Sequence, residues 1–519
     1  MNNYRFSLLA LLFFSLILSV SGQDSICPVS ISTFDIMPQL NPWLLTSNPA
    51  GLSFNPDFSP GNMELTYHSK IGDYKRVQEG SQTKDFGFHT ERYLNVKNTK
   101  MYGEFSYNKS YEYNANYNLV NDPYRGTPYL LIDIAGNNDI IDREFFFLRG
   151  DISTPLGKHL KWGLSTNMNV GLGAQDRDPR SENKVMDFTA GPGMIVSFDK
   201  LKFGLDFFYS YYNEDIEVDI IHENIQLPFF QLHGLGTQVY HVAASYYRLY
   251  QRHTAGGDFQ LQAGTSDINI LLTGGYRWFE ETADDGRKGG DASWSYLKND
   301  SYLSGTIINI NALLHLKTGD VIHQAYFKSE TSPVIGAEII QRLEQVGEVG
   351  AVDWVDYGTE EKYSLYSRSM GVDYTLLKMK GSTRKDFSIT LGLNQNERKQ
   401  AYYLPNLTEN WKNFIFSAEL DKSFFIGKQE ISAGAGIQRK INLNGDYYYD
   451  DENFLTTILL IPDFNYYTSN YTAPWLKLAC KIKINRLFDA VYIRSNATFY
   501  KSDEELKRTV FNVSTGAIF

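Results

Sequence analysis

The sequence predicts an all-β protein, a transmembrane antiparallel up-and-down β-barrel of about 18 strands within a range of about 14–18, with a short N-terminal plug or lead-in segment. Three observations carry this expectation. The chain opens on a short apolar run; segments of strict period-two polarity recur between connections that are alternately short and long; and the last residues, "VFNVSTGAIF", stop inside a strand. Composition agrees, because Tyr (36), Phe (33) and Gly (41) are abundant while Pro (16) and Cys (2) are scarce. A membrane barrel needs aromatic and apolar residues on one face of each strand and polar ones on the other, so no long apolar run is required. The net charge of −11 excludes nucleic acid as a partner class.

The opening stretch, "MNNYRFSLLALLFFSLILSVSGQ", places one charge, Arg5, before an apolar run from Phe6 to Val20. Val20 and Gly22 are small enough for the −3 and −1 positions of a signal peptide, which predicts residues 1–22 as a cleaved leader ending before Gln23. The alternative, an uncleaved anchor, requires a longer span than this run supplies. Asp24 stands where an apolar residue would precede a lipidated cysteine, which argues against acylation of Cys27. The expectation is export to the outer membrane of a Gram-negative cell.

The strands read as follows. In "FSITLGLNQ" Phe387, Ile389, Leu391 and Leu393 share one face, and Ser388, Thr390, Gly392 and Asn394 the other. The same alternation sets Trp162, Leu164, Thr166, Met168, Val170 and Leu172 outward, and likewise Leu201, Phe203, Leu205, Phe207 and Tyr209. Short connections fall at 96–100, 156–159, 198–200, 264–267, 317–320, 380–384, 426–429 and 484–489, and long loops are expected at 113–141, 215–236, 282–301, 331–362 and 444–471. Short turns on one side and long loops on the other are the layout of a barrel with periplasmic turns and extracellular loops. An even strand count leaves both ends in the periplasm. The barrel is thus assigned residues 61–519.

Thr509, Phe511, Val513, Thr515, Ala517 and Phe519 share a face of the last strand. This resembles the carboxy-terminal β-signal read by the barrel assembly machinery, with Phe511, Val513 and Phe519 as its signal residues. That implies the assembly machinery and outer-membrane lipid as partners. The strand ends there because it closes against the first and leaves no edge.

Residues 23–60 remain. They contain "LNPWLLTSNPAGLSFNP", with Asn48, Pro49, Ala50 and Gly51 at the centre. This stretch resembles the Asn-Pro-Ala segment of FadL-like transporters of hydrophobic compounds, and the Asn-Pro-Ala-Gly start of barrels associated with type IX secretion. In the former it forms a hatch inside the barrel, which implies the same for Asn48, Pro49, Ala50 and Gly51; about 18 strands departs from the 14 of those families. The whole chain is similar to outer-membrane barrel families of unassigned role found beside TonB-dependent uptake systems, which implies other outer-membrane or surface lipoprotein subunits as partners. Independently of any resemblance, a barrel of this width leaves a channel unless filled. Ile36, Met37, Leu40, Trp43, Leu44, Leu45, Leu52 and Phe54 make this segment apolar enough to pack in a lumen; a periplasmic lid or lead-in is the alternative.

The residues present no catalytic, cofactor or metal site. The nine His are scattered, without H-x-x-x-H or C-x-x-C spacing, and His315 falls on a polar face with Asn309 and Asn311, as a wall residue. The acidic loop with Asp446, Asp450, Asp451 and Glu452 lacks a calcium-loop pattern. Period two places Glu104, Arg149, Asp151, Asp187, Asp206, Arg277, Asp373, Glu419, Asp421, Lys477, Lys481, Lys483 and Arg494 toward the lumen. Acidic and basic walls facing each other would set a field across a pore; a lattice of cross-strand pairs would simply solvate it. Cys480 is placed toward lipid, so Cys27 and Cys480 are expected to stay free thiols. The expectation is a passive or accessory uptake component for a small molecule and not an enzyme. The alternatives are a non-transporting subunit of an uptake, secretion or assembly complex, and a hydrolase acting at the rim.

Overall fold

The computed structural model describes residues 33–57, 59–134, 139–221, 228–242, 245–288, 294–345, 352–381, 384–427, 429–484 and 488–519. The expected leader, residues 1–22, and Cys27 lie outside the described residues. Eighteen of the described strands form one closed antiparallel sheet in which each strand pairs with its neighbours along the chain. Closure joins strand Gly61–Gly72 to strand Lys507–Ile518, in a register that runs from Asn62 opposite Ile518 to Gly72 opposite Arg508. Gly61 and Phe519 exchange backbone hydrogen bonds of 2.7 and 2.9 Å beyond the last paired residues. The final strand therefore leaves no exposed ladder.

The faces follow the alternation. Leu164, Leu172, Leu201, Phe203, Leu205, Phe207, Ile389, Leu391 and Leu393 are exposed on the outside, while Gly163, Asp206 and Ser388 between them are buried. A continuous outward apolar band of this extent is stable in a bilayer and not in water. Cys480 is a free thiol in phase with Leu478 and Ile482, both exposed on that outer face. Among the described residues, short connections fall where expected at 96–100, 156–159, 198–200, 264–267 and 317–320. At Gly157 and Gly319 the backbone takes φ of 91° and 61°, which a glycine adopts without a Cβ clash.

Two of the expected long loops are strands instead. Trp294–Thr318, Val321–Gln345 and Val352–Met379 run for 25, 25 and 28 residues and absorb most of 282–301 and 331–362. Their polar, charge-rich sequence looks like loop because the inner face here is buried through polar and apolar side chains alike, Asp285, Asp300, Ser301 and Val334 among them, and carries no regular apolar stripe. By contrast, described parts of 215–236 and 444–471 do fold back. Pro228–Gly234 and Thr237–Val242 form a hairpin that adds Leu131–Asp133 as a third strand, making a small separate sheet, and 444–471 contains a π turn, Thr456–Leu460, leading into helix Ile461–Thr468.

Candidate functional site

The lumen is shaped by two insertions, one from each end. The one on the side of the short turns is the N-terminal segment. Asn41 and Asn48 each cap a 3₁₀ turn, Pro42–Leu45 and Pro49–Phe54, by accepting the backbone N–H two residues on, with proline at the first position where its missing N–H is harmless. These turns hold Trp43 and Ala50 against Ile195, Leu271 and Leu313. Trp43 Nε1 donates to Gln262 Oε1 at 2.7 Å, Asn48 Nδ2 to Gln260 Oε1 at 3.0 Å, and Ser47 Oγ to Asp258 Oδ2 at 2.5 Å. Residues 258, 260 and 262 are alternate positions of one strand, so a single lumen face supplies all three partners.

The adjoining strands of the same wall are cut away to admit this segment, Gly204 standing directly across from Gln260. A Cβ at Gly193 would stand 2.3 Å from Asn48 Oδ1, and one at Gly204 would stand 2.8 Å from Trp43 Cζ3. Only glycine lets the wall approach the turn this closely. Further on, Ser153 Oγ donates to the Ala50 carbonyl at 3.1 Å, and Lys100 Nζ holds the Asn55 carbonyl at 2.8 Å before the chain enters the barrel at Gly61. The preceding helix, Thr33–Leu40, rests through Ile36 on Ile322, Leu377 and Met379. The segment thus follows the inner wall from the long strands round to the first strand.

The insertion on the side of the long strand ends is a lid made by three inward loops. Leu119, Leu130, Leu131 and Ile132 of the first pack with Phe229, Phe230 and Leu232 of the second and Leu455 and Leu459 of the third. Charged wall residues tie it down. Arg125 reaches Glu281 through Nη1 at 2.5 Å and Nη2 at 3.1 Å. Arg248, with 0% of its surface exposed, binds both oxygens of Asp285 at 2.7 Å and donates to the Tyr129 carbonyl at 3.2 Å. Asp463 of the lid helix accepts from Val77 N at 2.7 Å and from Tyr124 Oη at 3.1 Å. Burial pushes the Asp463 carboxyl up to about 6 in spite of those donors and the nearby Arg76. Glu79 behaves oppositely: against burial, which works to raise it, Arg76 and Arg508 hold it down at about 2.

Between lid and N-terminal segment, one part of the wall stays uncovered. Strands Lys385–Tyr402 to Lys507–Ile518, with Gly61–Gly72, border a cavity of about 360 Å³ whose charged lining includes Glu64, Lys385, Asp421, Glu430, Lys477 and Arg494. Asp35 of the N-terminal helix closes one side of it. The charges are interleaved and paired: Arg494 with Glu64 at 2.5 Å, Lys477 with Glu419 at 2.7 Å, Lys481 with Glu430 at 2.8 Å and Lys385 with Asp421 at 3.7 Å. An acidic wall facing a basic one is therefore not what the lumen contains.

The remaining predicted lumen charges are spread around the barrel and are not gathered at the cavity. Arg149 meets Asp151 at 2.8 Å, Arg277 meets Asp258 at 3.5 Å and Asp373 meets Lys328 at 3.0 Å. Glu104 accepts from Tyr102, Asp187 from Ser210 and Asp206 from Gln260, while Lys483 is exposed beside its turn. His315 is buried beside Gln324 at 3.2 Å. Phe511 is exposed on the outer face, Val513 is half-buried, and the Phe519 ring lies over Gly61 and under Arg92. Sequence reasoning missed Glu64, Lys385 and Glu430, which alternation in "GNMELTYHS" and its counterparts could have placed inward. It also missed Arg125 and Arg248; the signal there was an arginine close to the apolar run "YLLID" and another within a Tyr-rich strand start.

Residues 49–519 match the model of a family of unknown function (DUF6850), and the chain belongs to that family. No curated protein matches the chain. Among solved structures, it is similar to the ferric-catecholate import receptor Fiu of E. coli K12 in its open form, at 8% identity over 89% of this chain and 82% of that one, with a TM-score of 0.39. It is likewise similar to the copper transporter OprC, at 10% identity over 89% and 80% with a TM-score of 0.42. For the ferric yersiniabactin uptake receptor FyuA of Yersinia pestis the identity is 7% over 90% and 81%, with a TM-score of 0.38.

Proposed function

We propose that this member of the DUF6850 family is an outer-membrane uptake component that passes a small polar solute along the charged part of its lumen. The observation that carries the reading is the cavity of about 360 Å³ between strands Lys385–Tyr402 and Gly61–Gly72. The N-terminal segment packs on the rest of the mouth and leaves this stretch bare. In this reading residues 23–60, with Asn48, Pro49, Ala50 and Gly51 at the turn, are a hatch, and the three inward loops are an outer gate. No catalysis is assigned to the chain. Deleting Asp24 to Phe58 while keeping the leader should turn a low-conductance barrel into an open pore in planar bilayers. Unchanged conductance would sink the hatch.

The lid favours a second reading. Leu119, Leu131, Ile132 and Leu455 are fully buried in it, and a barrel sealed by such a core passes nothing and serves as a subunit that holds surface lipoproteins or other outer-membrane partners. Liposome swelling separates the two readings, because a sealed scaffold admits no solute. Outer-membrane fractionation with a heat-modifiable gel band checks the location, and a mature N-terminus at Gln23 checks the leader.

A further inference from the structure

We propose that the uncovered cavity is a binding site for a small zwitterion, one that carries an ammonium and a carboxylate on a short backbone, as an amino acid or a dipeptide does. This deepens the uptake reading and rests on it for the route by which the solute arrives.

The lining decides the class. Basic Lys385, Lys477 and Arg494 and acidic Asp35, Glu64, Asp421 and Glu430 face one space. A solute with a single charge meets repulsion from half of such a wall, whereas a dipolar one finds a partner at each end. Cavities of about 300 Å³ and more hold small organic molecules, and at about 360 Å³ this one is at the small end. No aromatic ring is among the lining residues, so there is no stacking face for a sugar or a planar heterocycle.

Two lining groups also lack a partner within the protein. Ser423, 2% exposed, leaves its Oγ without a hydrogen bond, and Asn496 leaves its Oδ1 without one. Buried polar groups are ordinarily satisfied. Here one hydroxyl and one amide oxygen face the cavity in addition to the paired charges, the acceptor suited to an ammonium and the hydroxyl able to donate to a carboxylate. The ion pairs are also adjustable, because Lys477 and Arg494 keep 40% and 33% of their side-chain surface exposed. They can lean toward a carboxylate without first being pulled from a buried bond.

The test uses the full-length assembled protein in detergent, with a heat-modifiable band as the folding control. Equilibrium dialysis with radiolabelled glycylglycine is compared with glucose, glutarate and putrescine, which are neutral, anionic and cationic. Glycylglycine should bind saturably at one site and about tenfold more tightly than each control, and Lys477→Gln should lower its binding by about tenfold. Ser423→Ala, which leaves the charge lattice intact, should lower it by a smaller factor. Equal binding of all four solutes, or glycylglycine binding unaffected in both folded variants, would overturn the site. Swelling of proteoliposomes in the same solutes keeps the two readings apart. Preferential binding with no solute entry removes the uptake reading and leaves the zwitterion site; equal entry of all four with no preferential binding does the reverse.

Discussion

Two stretches of one lumen wall solve the same problem differently. Strands from 139–155 to 268–288 carry small residues and amides, Gly163, Gly193, Gly204, Gln260 and Gln262, with the short carboxylates Asp206 and Asp258, where the N-terminal turn sits. Strands from 385–402 round to 61–72 carry lysine, arginine and carboxylates at the corresponding inward positions and stay open. Strand lengths differ as well: Val352–Met379 has 28 residues, while Gly61–Gly72 and Lys507–Ile518 have 12 each. A tilted strand crosses the bilayer in about 9–11 residues, so the short side is almost wholly membrane wall and the tall side stands well above it. The comparison teaches that a lumen is filled where backbone can approach backbone and left wet where long charged side chains hold each other.

The largest expected effect concerns the seam, which lies in the open stretch. Removing Phe519, whose ring rests on Gly61 and whose backbone is bonded to it, should abolish most folded, heat-modifiable protein while export to the periplasm continues. A normal folded yield would show that the terminal residue is not an assembly signal.

Matched substitutions then compare the two stretches directly. Arg248→Met leaves buried Asp285 without its cation, and breaking such a buried pair costs about 3–5 kcal/mol. The lid should loosen and conductance rise. Arg494→Met in the open stretch removes a half-exposed partner of Glu64 and should cost about 1 kcal/mol or less. Equal losses of thermal stability would erase the distinction drawn between them.

Next in size is Trp43→Ala. Truncating a fully buried Trp costs about 3–5 kcal/mol, here confined to docking of the N-terminal segment, so limited proteolysis from the periplasmic side should cut that segment while the barrel stays intact. Protection equal to wild type would mean that the segment is held elsewhere.

The smallest effect is on pH dependence, and it belongs to the lid. Asp463 has a pKa of about 6 when the lid is docked, against an ordinary value of 3.8. The docked lid therefore holds the proton more tightly than a released one, so docking gains stability as pH falls through 6 and loses it as pH rises. Glu79, at about 2, stays ionised across that window, as does the nearby Arg76. Single-channel openings should be rarer at about pH 5 than at about pH 7.5, and Asp463→Asn should flatten the difference. A variant that keeps the full pH response would assign it to another group.

Alternation alone determined the barrel, its outward faces and the position of its closing strand, because lipid on one side and water on the other impose period two on each spanning strand. It also located the short turns, where two strands must reverse within a few residues, and it placed Lys477, Lys481 and Arg494 inward, since a cation cannot face the bilayer midplane cheaply. Height was hidden: in the upper parts of Trp294–Thr318 and Val352–Met379 the inner face is buried under the inward loops by polar and apolar side chains alike, Asp300, Ser301, Leu303 and Tyr363 among them, and such a ladder has the composition of a loop. Only the tertiary structure decided which charges meet. Glu419 and Lys477, 2.7 Å apart, lie on strands Leu407–Ile426 and Tyr471–Lys483 with another strand between them, and Arg125 finds Glu281 from a loop 156 residues away. Such pairings depend on barrel register and on how loops fold inward, neither of which leaves a local periodicity in the chain. The same holds for the opening itself: a cavity is the space that two insertions fail to fill, and its place follows from where both of them pack.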